Sequence, residues 1–159
     1  MTGAGKYTAA KYIVLVMTVG FVVWLMLFVG ASRRPFEEVS AAVEQVIDEE
    51  TLVKQDGSAL KRSIGLNSAD YEGVSYYTSV SGISAEELLL VRVKSTSQIS
   101  GVSAALDEYV EKRIGYFGAD APEQVKILED AGQIVRGRYI FFYISSEAER
   151  YQQAFLDSL

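Results

Sequence analysis

The residues of this chain that could do chemistry are carboxylates and tyrosines, because its 159 residues include no histidine and no cysteine. Those two types supply the commonest general base, the commonest thiol nucleophile and most transition-metal ligands. Their absence excludes the usual Ser-His-Asp triads, thiolate catalysis and the common zinc sites. The sequence therefore predicts a protein that is not an enzyme, with no catalytic, metal-ligating or cofactor-binding residues and no cofactor.

Adjacent carboxylates occur at Glu86 and Glu87, and again at residues 37–38 and 49–50. Neighbouring side chains point to opposite faces of a strand or about 100° apart around a helix, so none of these pairs is a ready acid and base. Solvated surfaces explain them best. A carbohydrate-binding module or a carboxylate-based enzyme is the alternative, and it requires Glu86, Glu87 or Asp120 to line a concave pocket beside aromatic residues.

The last predicted strand is apolar on both faces, with aromatic residues on one of them. Two interpretations are open: a central strand covered on both sides, or an exposed aromatic face that binds a protein or stacks on a sugar. Arg136 and Arg138 at the preceding turn could hold an anionic ligand. The candidate interaction surface consists of Tyr77, Leu88, Leu90, Tyr139, Phe141 and Tyr143.

Two β-hairpins are predicted in the second half of the chain. Residues 74–80 and 88–93 are rich in Val, Leu and Tyr and are separated by a Ser-Gly-Ile-Ser segment. Residues 133–136 and 139–145 repeat this pattern around Gly137 and Arg138. Each hairpin is followed by a predicted helix, which indicates a mostly antiparallel sheet.

Helical periodicity occupies most of the remaining chain. Apolar residues at three- and four-residue spacing predict an amphipathic helix from Phe36, a short helix over residues 58–64 that ends at Gly65, a long helix over residues 99–117 and a closing helix from Ala148. Asp120 is expected to cap a further helix, with Glu123 as its capping-box partner. These elements predict an α+β fold: a two-layer sandwich of two β-hairpins with helices packed on the sheet.

Residues 12–32 carry no charge and predict a transmembrane helix. As a helix these residues would extend about 31 Å, which matches the hydrocarbon thickness of a bilayer. The stretch is longer than the apolar region of a signal peptide, so an uncleaved anchor is expected. The residues assigned to the membrane boundary and anchor are Tyr12, Trp24, Arg33 and Arg34.

The sequence divides into a short cytoplasmic tail (residues 1–11), the anchor (residues 12–32) and one extracytoplasmic α+β domain (residues 33–159). Basic residues flank the anchor almost equally, and the shape of a short basic tail before a signal-anchor favours the amino terminus inside the cell. The last part carries 13 basic and 21 acidic residues, a net charge of −8. Such an acidic domain disfavours nucleic acid as a partner.

The sequence contains several short motifs: Gly-Ile-Ser-Ala-Glu-Glu-Leu at residues 82–88, Tyr116 followed by Pro122-Glu123, Leu128 and Ala131, and Gly-Arg-Tyr at residues 137–139. Together these motifs resemble the bacterial domain-of-unknown-function family 4358. The resemblance covers roughly residues 36–159. It implies a small protein held at the outer face of a Gram-positive membrane by an amino-terminal helix, with no assigned activity and a weak connection to cell-surface polysaccharide modification.

The first functional hypothesis is a membrane-anchored, non-catalytic accessory or binding domain whose partners are the lipid bilayer and a membrane or envelope protein. The second is the carbohydrate-binding module or carboxylate-based enzyme described above. The third is a cytoplasmic-facing subunit of a membrane complex, because the flanking charges are nearly balanced.

Overall fold

The structure, a computed structural model, describes residues 16–21 and 34–159. Residues 16–21 are helical. Within the described ranges no helix combines the length and apolarity needed to cross a bilayer. Most of residues 12–32, together with Arg33, lies outside the described residues, and the anchor stays a prediction.

One five-stranded antiparallel sheet forms the centre of the domain. Its order is β1-β2-β3-β5-β4, so both predicted hairpins are confirmed as β2-β3 and β4-β5. Strand β1 was not predicted, because it has four residues and only its first side chain is buried, which leaves no alternating pattern. The strands are β1 (Leu52–Gln55), β2 (Gly73–Ser79), β3 (Glu87–Arg92), β4 (Gly132–Arg136) and β5 (Tyr139–Ile144).

Five α-helices follow the predicted order: α1 (Phe36–Glu44), α2 (Gly57–Ser63), α3 (Ile99–Phe117), α4 (Pro122–Glu129) and α5 (Ala148–Asp157). Helix α2 ends just before Gly65, whose φ of 87° lies in the left-handed region that favours glycine. A short 3₁₀ turn precedes α3, and Ser95 and Gln98 form a capping box around it.

The predicted capping role of Asp120 is wrong. Asp120 belongs to a 3₁₀ turn (Gly118–Asp120), and α4 begins at Pro122 after Ala121, with no side-chain capping bond. Proline supplies the start of this helix instead. Its fixed φ suits the first helical turn, where its missing N–H would have no partner in any case.

Helices cover both faces of the sheet, so the predicted two-layer sandwich is wrong and the domain has three layers. Helices α2, α3 and α4 pack on one face with Leu89, Val91 and Ile140. Helices α1 and α5 pack on the other with Leu88 and Leu90. All six residues of β3 are buried, and a strand with apolar side chains on both faces needs cover on both.

The candidate interaction surface lies beneath α1 and α5. Its six residues share one sheet face, as predicted, but only Tyr143 is partly exposed. Phe155 of α5 stacks on Phe141 with ring centroids 5.0 Å apart, and Val39 and Val43 of α1 complete the cover. The covered-strand interpretation is therefore confirmed, and the interpretation of Tyr77, Leu88, Leu90, Tyr139, Phe141 and Tyr143 as an exposed binding face is wrong.

Candidate functional site

A polar cleft of about 360 Å³ opens at one end of the sheet, between the loop that joins β2 to β3 and the carboxyl-terminal end of α3. Its chemistry comes from hydroxyls, two carboxylates, one arginine and aromatic rings. The lining residues are Ser63, Tyr76, Thr78, Ser79, Ser81, Gly82, Ser84, Glu86, Glu87, Arg113, Tyr116 and Phe117.

The chain enters the described domain at the opposite end of the sheet. The Tyr139 hydroxyl, at the start of β5, donates a hydrogen bond of 2.7 Å to the carbonyl oxygen of Arg34. Glu87 pairs with Ile144, at the end of β5. Five residues of extended strand separate these points by about 17 Å. The cleft therefore lies at the end of the sheet away from Arg34.

Glu87 is the buried carboxylate of the cleft, with 3% exposure. As the first residue of β3 it points to the same face as Leu89, towards α3. Its Oε1 accepts a hydrogen bond from the Tyr109 hydroxyl at 2.7 Å and forms a salt bridge with Arg113 Nη1 at 2.8 Å. Its Oε2 lies 2.9 Å from the hydroxyls of Tyr76 and Tyr109, and the Tyr109 proton is shared between the two carboxylate oxygens. Two hydroxyl donors and one guanidinium compensate the carboxylate for its lost water.

Arg113 is held from several sides. Four-residue spacing puts Tyr109, Arg113 and Phe117 on one face of α3. The guanidinium carbon lies 5.2 Å from the Phe117 ring centroid and 5.7 Å from the Tyr109 centroid. Nη1 forms the salt bridge with Glu87 and donates a hydrogen bond of 3.3 Å to the Tyr109 hydroxyl. Its Nε is buried and has no hydrogen-bond acceptor among the residues that the structure describes.

Burial and the charges of the ion pair both shift the pKa values of Glu87, Tyr76 and Tyr109. Burial raises the pKa of Glu87, while Arg113, Tyr109 and Tyr76 oppose that shift. Burial and then the Glu87 charge raise the pKa of Tyr76 and of Tyr109 far above the ordinary tyrosine value. Both hydroxyls therefore stay protonated and keep donating to Glu87 at physiological pH.

Glu86 faces away from Glu87 and makes separate contacts. Its Oε1 accepts from the Ser145 hydroxyl at 3.2 Å, from the Ser146 backbone N–H at 3.0 Å and from the Ser146 hydroxyl at 2.8 Å. The interpretation of this pair as solvated surface is wrong for Glu87, which is buried at the start of β3. Asp120 is exposed after α3 and is not among the cleft residues, so the pocket that sequence reasoning required for the second hypothesis contains Glu86 and Glu87 only.

The rim of the cleft exposes one aromatic side chain, that of Tyr116. Tyr116 is 82% exposed, and its ring meets Phe117 edge-on with centroids 5.6 Å apart. Val80 and Ile83, in the loop that joins β2 to β3, are 58% and 81% exposed but are not among the residues that line the cleft. Sequence reasoning cited Tyr116 only as a family motif and missed Arg113, whose signal is a charge at four-residue spacing between two aromatic residues.

Arg136 and Arg138, which the sequence suggested as anion ligands, already have partners within the domain. Arg138 Nη1 lies 2.7 Å from Glu72 Oε2, and Arg92 Nη1 lies 3.2 Å from Oε1 of the same carboxylate, so Glu72 pairs with both arginines. Arg136 Nη1 donates to the carbonyl oxygen of Val135 at 2.9 Å. No group of three or more acidic side chains that could hold a metal ion occurs in residues 16–21 and 34–159.

Replacing Arg113 with Met should make stability depend more strongly on pH. Without the guanidinium, the pKa of the buried Glu87 rises further above its unfolded value. A carboxyl group whose pKa is higher in the folded than in the unfolded state binds its proton more tightly in the folded state. Protonation therefore favours folding at low pH, and this contribution is lost as the pH rises through the pKa of the folded state. Urea unfolding at pH 5 and pH 8 should show a larger loss for Arg113→Met at pH 8. An equal loss at both pH values would contradict this account of the pair.

The fold and cleft define an α+β domain with an antiparallel sheet between two helical layers and a polar, aromatic-rimmed cleft at one end. The sequence model of the family described as Domain of unknown function (DUF4358) matches residues 45–145. That is well over half of the chain, so the chain belongs to this family, and the resemblance inferred from the sequence is confirmed.

The matched range contains all five strands and all the residues that line the cleft, whereas α1 and α5 lie outside it. The helices that cover the second sheet face are thus outside the matched region. Neither the search of curated proteins nor the search of solved structures found a significant match.

Proposed function

We propose that this protein is a membrane-tethered, extracytoplasmic binding domain that holds a ligand in the Glu87–Arg113 cleft and does no catalysis. One observation carries the proposal: the cleft places a buried ion pair beside the exposed side chain of Tyr116. Burying charges costs free energy, and perturbed, paired charges in a cleft are enriched at functional sites. The hydroxyl and guanidinium groups of the cleft are held in place before a ligand arrives, and Tyr116 adds an exposed aromatic ring, so the cleft suits ligand binding.

Two features of the chain support the tether. Residues 12–32 are uncharged and long enough to span a bilayer, and Arg33 and Arg34 follow at the membrane boundary. The described domain begins next to that boundary at the end of the sheet opposite the cleft. A domain anchored there on the outer face of a Gram-positive-type membrane presents its cleft outwards, towards envelope components, where a membrane or envelope partner would bind.

The geometry of the carboxylates supports binding over catalysis. The Glu87 oxygens already contact Tyr76, Tyr109 and Arg113, and a catalytic acid must instead reach its substrate directly. Glu86 is engaged by two serines on another side. The carboxylate-based enzyme is the second candidate, favoured by the raised pKa of Glu87. Turnover of an envelope substrate that Glu87→Gln abolishes would establish it.

Site-specific photocrosslinking tests the proposed site in living cells. A photoreactive amino acid replaces Tyr116 in the full chain, and the matched control carries it at Leu156, an exposed position of α5 on the other side of the sheet. We expect a discrete adduct from position 116 and none from position 156. Equal adducts at both positions, or none at 116, would contradict the proposal.

An introduced cysteine tests the orientation, because the chain has no other cysteine. In intact cells, Leu156→Cys should react with a membrane-impermeant maleimide if the domain is extracytoplasmic. Labelling only after the cells are opened would establish the alternative, a cytoplasmic-facing subunit of a membrane complex.

A further inference from the structure

We propose that the ligand of the Glu87–Arg113 cleft is an uncharged, hydroxyl-rich segment of glycan. The inference rests on the proposed function and goes further, because it names the chemical class that the cleft selects. Three independent observations carry it: the hydroxyl groups of the lining, the exposed ring of Tyr116 and the charge balance around Arg113.

Hydroxyl groups dominate the polar lining of the cleft. Thr78 Oγ1 accepts from Gln55 Nε2 at 2.9 Å, and the Oγ atoms of Ser79 and Ser84 accept backbone N–H bonds at 3.1 and 3.3 Å. A hydroxyl that accepts one bond still has its proton to donate and a second lone pair. These groups can therefore both donate to and accept from a ligand, which is the versatility that sugar hydroxyls require.

Tyr116 offers the apolar half of sugar recognition. A pyranose ring has one face of C–H groups, and such a face packs against an aromatic ring while the hydroxyls at its edge form hydrogen bonds. The Tyr116 ring is 82% exposed, and the edge-on contact with Phe117 gives it lateral support. Aromatic residues combine a large contact area with a small loss of conformational entropy on binding.

The charge balance selects a neutral ligand over an anionic one. The Arg113 charge is matched by Glu87 at 2.8 Å. The part of the chain after the predicted anchor has a net charge of −8. A ligand carboxylate or phosphate would add an uncompensated negative charge and be repelled.

The test uses the full chain in nanodiscs of uncharged lipid. Its probes are the neutral and the acidic fractions of polysaccharide from the cell's own envelope, fragmented to similar length. We expect the neutral fraction to bind with an affinity that changes less than about twofold when the ionic strength is raised about tenfold, because no charge pairing is involved. Binding restricted to the acidic fraction, salt-sensitive binding or no glycan binding would overturn the inference.

Matched variants locate the binding. Tyr116→Ala should lower the affinity for the neutral fraction about tenfold, the effect of losing one aromatic contact. Leu156→Ala, an exposed apolar residue on the other side of the sheet, should leave it unchanged. Both substitutions are at exposed positions, so both variants should fold. Equal affinities for Tyr116→Ala and the unmodified chain would also overturn the inference.

The photocrosslinking experiment separates this inference from the proposed function. A protein adduct at position 116, together with no glycan binding, would overturn the glycan assignment and leave the binding cleft in place. No adduct at position 116 and no glycan binding would contradict both. A glycan adduct at position 116 would support both.

Discussion

Glu87→Gln is expected to lower the free energy of unfolding by about 3 kcal/mol. Removing one partner of a buried ion pair leaves the other charge uncompensated, which typically costs about 3–5 kcal/mol. The side chain of Arg113 is 24% exposed and can recover some hydration, which places the effect at the lower end. The amide is nearly the same shape as the carboxylate, so the loss reports charge and hydrogen bonding and little change in packing.

Urea unfolding of the full chain in mild detergent, followed by circular dichroism, measures this loss. Glu108→Gln is the matched control, because Glu108 also pairs with a cation of α3, Lys112 at 2.7 Å, but both side chains are about two-thirds exposed. Exposed pairs contribute little to stability because water screens both charges. Similar losses in the two variants would show that Glu87 is no more important to the fold than a surface carboxylate.

Phe141→Ala is expected to destabilise the domain by about 3–5 kcal/mol, the usual effect of truncating a buried phenylalanine. Phe141 has 0% exposure in the middle of β5 and stacks on Phe155, so its removal leaves a cavity between the sheet and α5. The same side chain on an exposed binding face would be removed at little cost. This variant thus distinguishes a core residue from an interface residue.

Tyr116→Ala is the control for that comparison. It also removes an aromatic ring, but from a position with 82% exposure, and surface substitutions usually change stability by less than about 0.5 kcal/mol. Thermal unfolding of both variants under identical conditions provides the measurement. If Phe141→Ala is as stable as Tyr116→Ala, the packing of α5 on the sheet is not as described. If Phe141→Ala is destabilised as expected, replacing the aromatic residues of β5 cannot serve as a test of binding, because the replacement disrupts the core.

Elements with a strong local pattern could be predicted from the sequence. The hairpins β2-β3 and β4-β5 have β-branched and aromatic runs around short turns, and α3 has apolar residues at helical spacing over its 19 residues. Helix α2 and its stop at Gly65 follow from backbone conformation alone. Each of these signals lies within a few residues, so no knowledge of distant contacts was needed.

Features that depend on distant contacts could not be predicted in the same way. Strand β1 forms because β2 offers it an edge to pair with, and its own four residues give little indication of a strand. Asp120 and Pro122 both suit the start of a helix, and the capping-box motif favours Asp120. The structure begins α4 at Pro122 instead. The second helical layer follows from where α1 and α5 dock, and two-sided apolar strands were compatible with either one or two covered faces.

The candidate site shows the same division. The absence of histidine and cysteine and the opposed directions of Glu86 and Glu87 were determined by the amino-acid sequence, because they follow from residue type and strand geometry. Only the tertiary structure decided that Glu87 meets Arg113, 26 positions later, and that the aromatic face of β5 is core while Tyr116 is exposed. The reason is that burial and ion pairing are properties of the packed chain: they arise when α3 lies across the sheet, and no local pattern contains that contact.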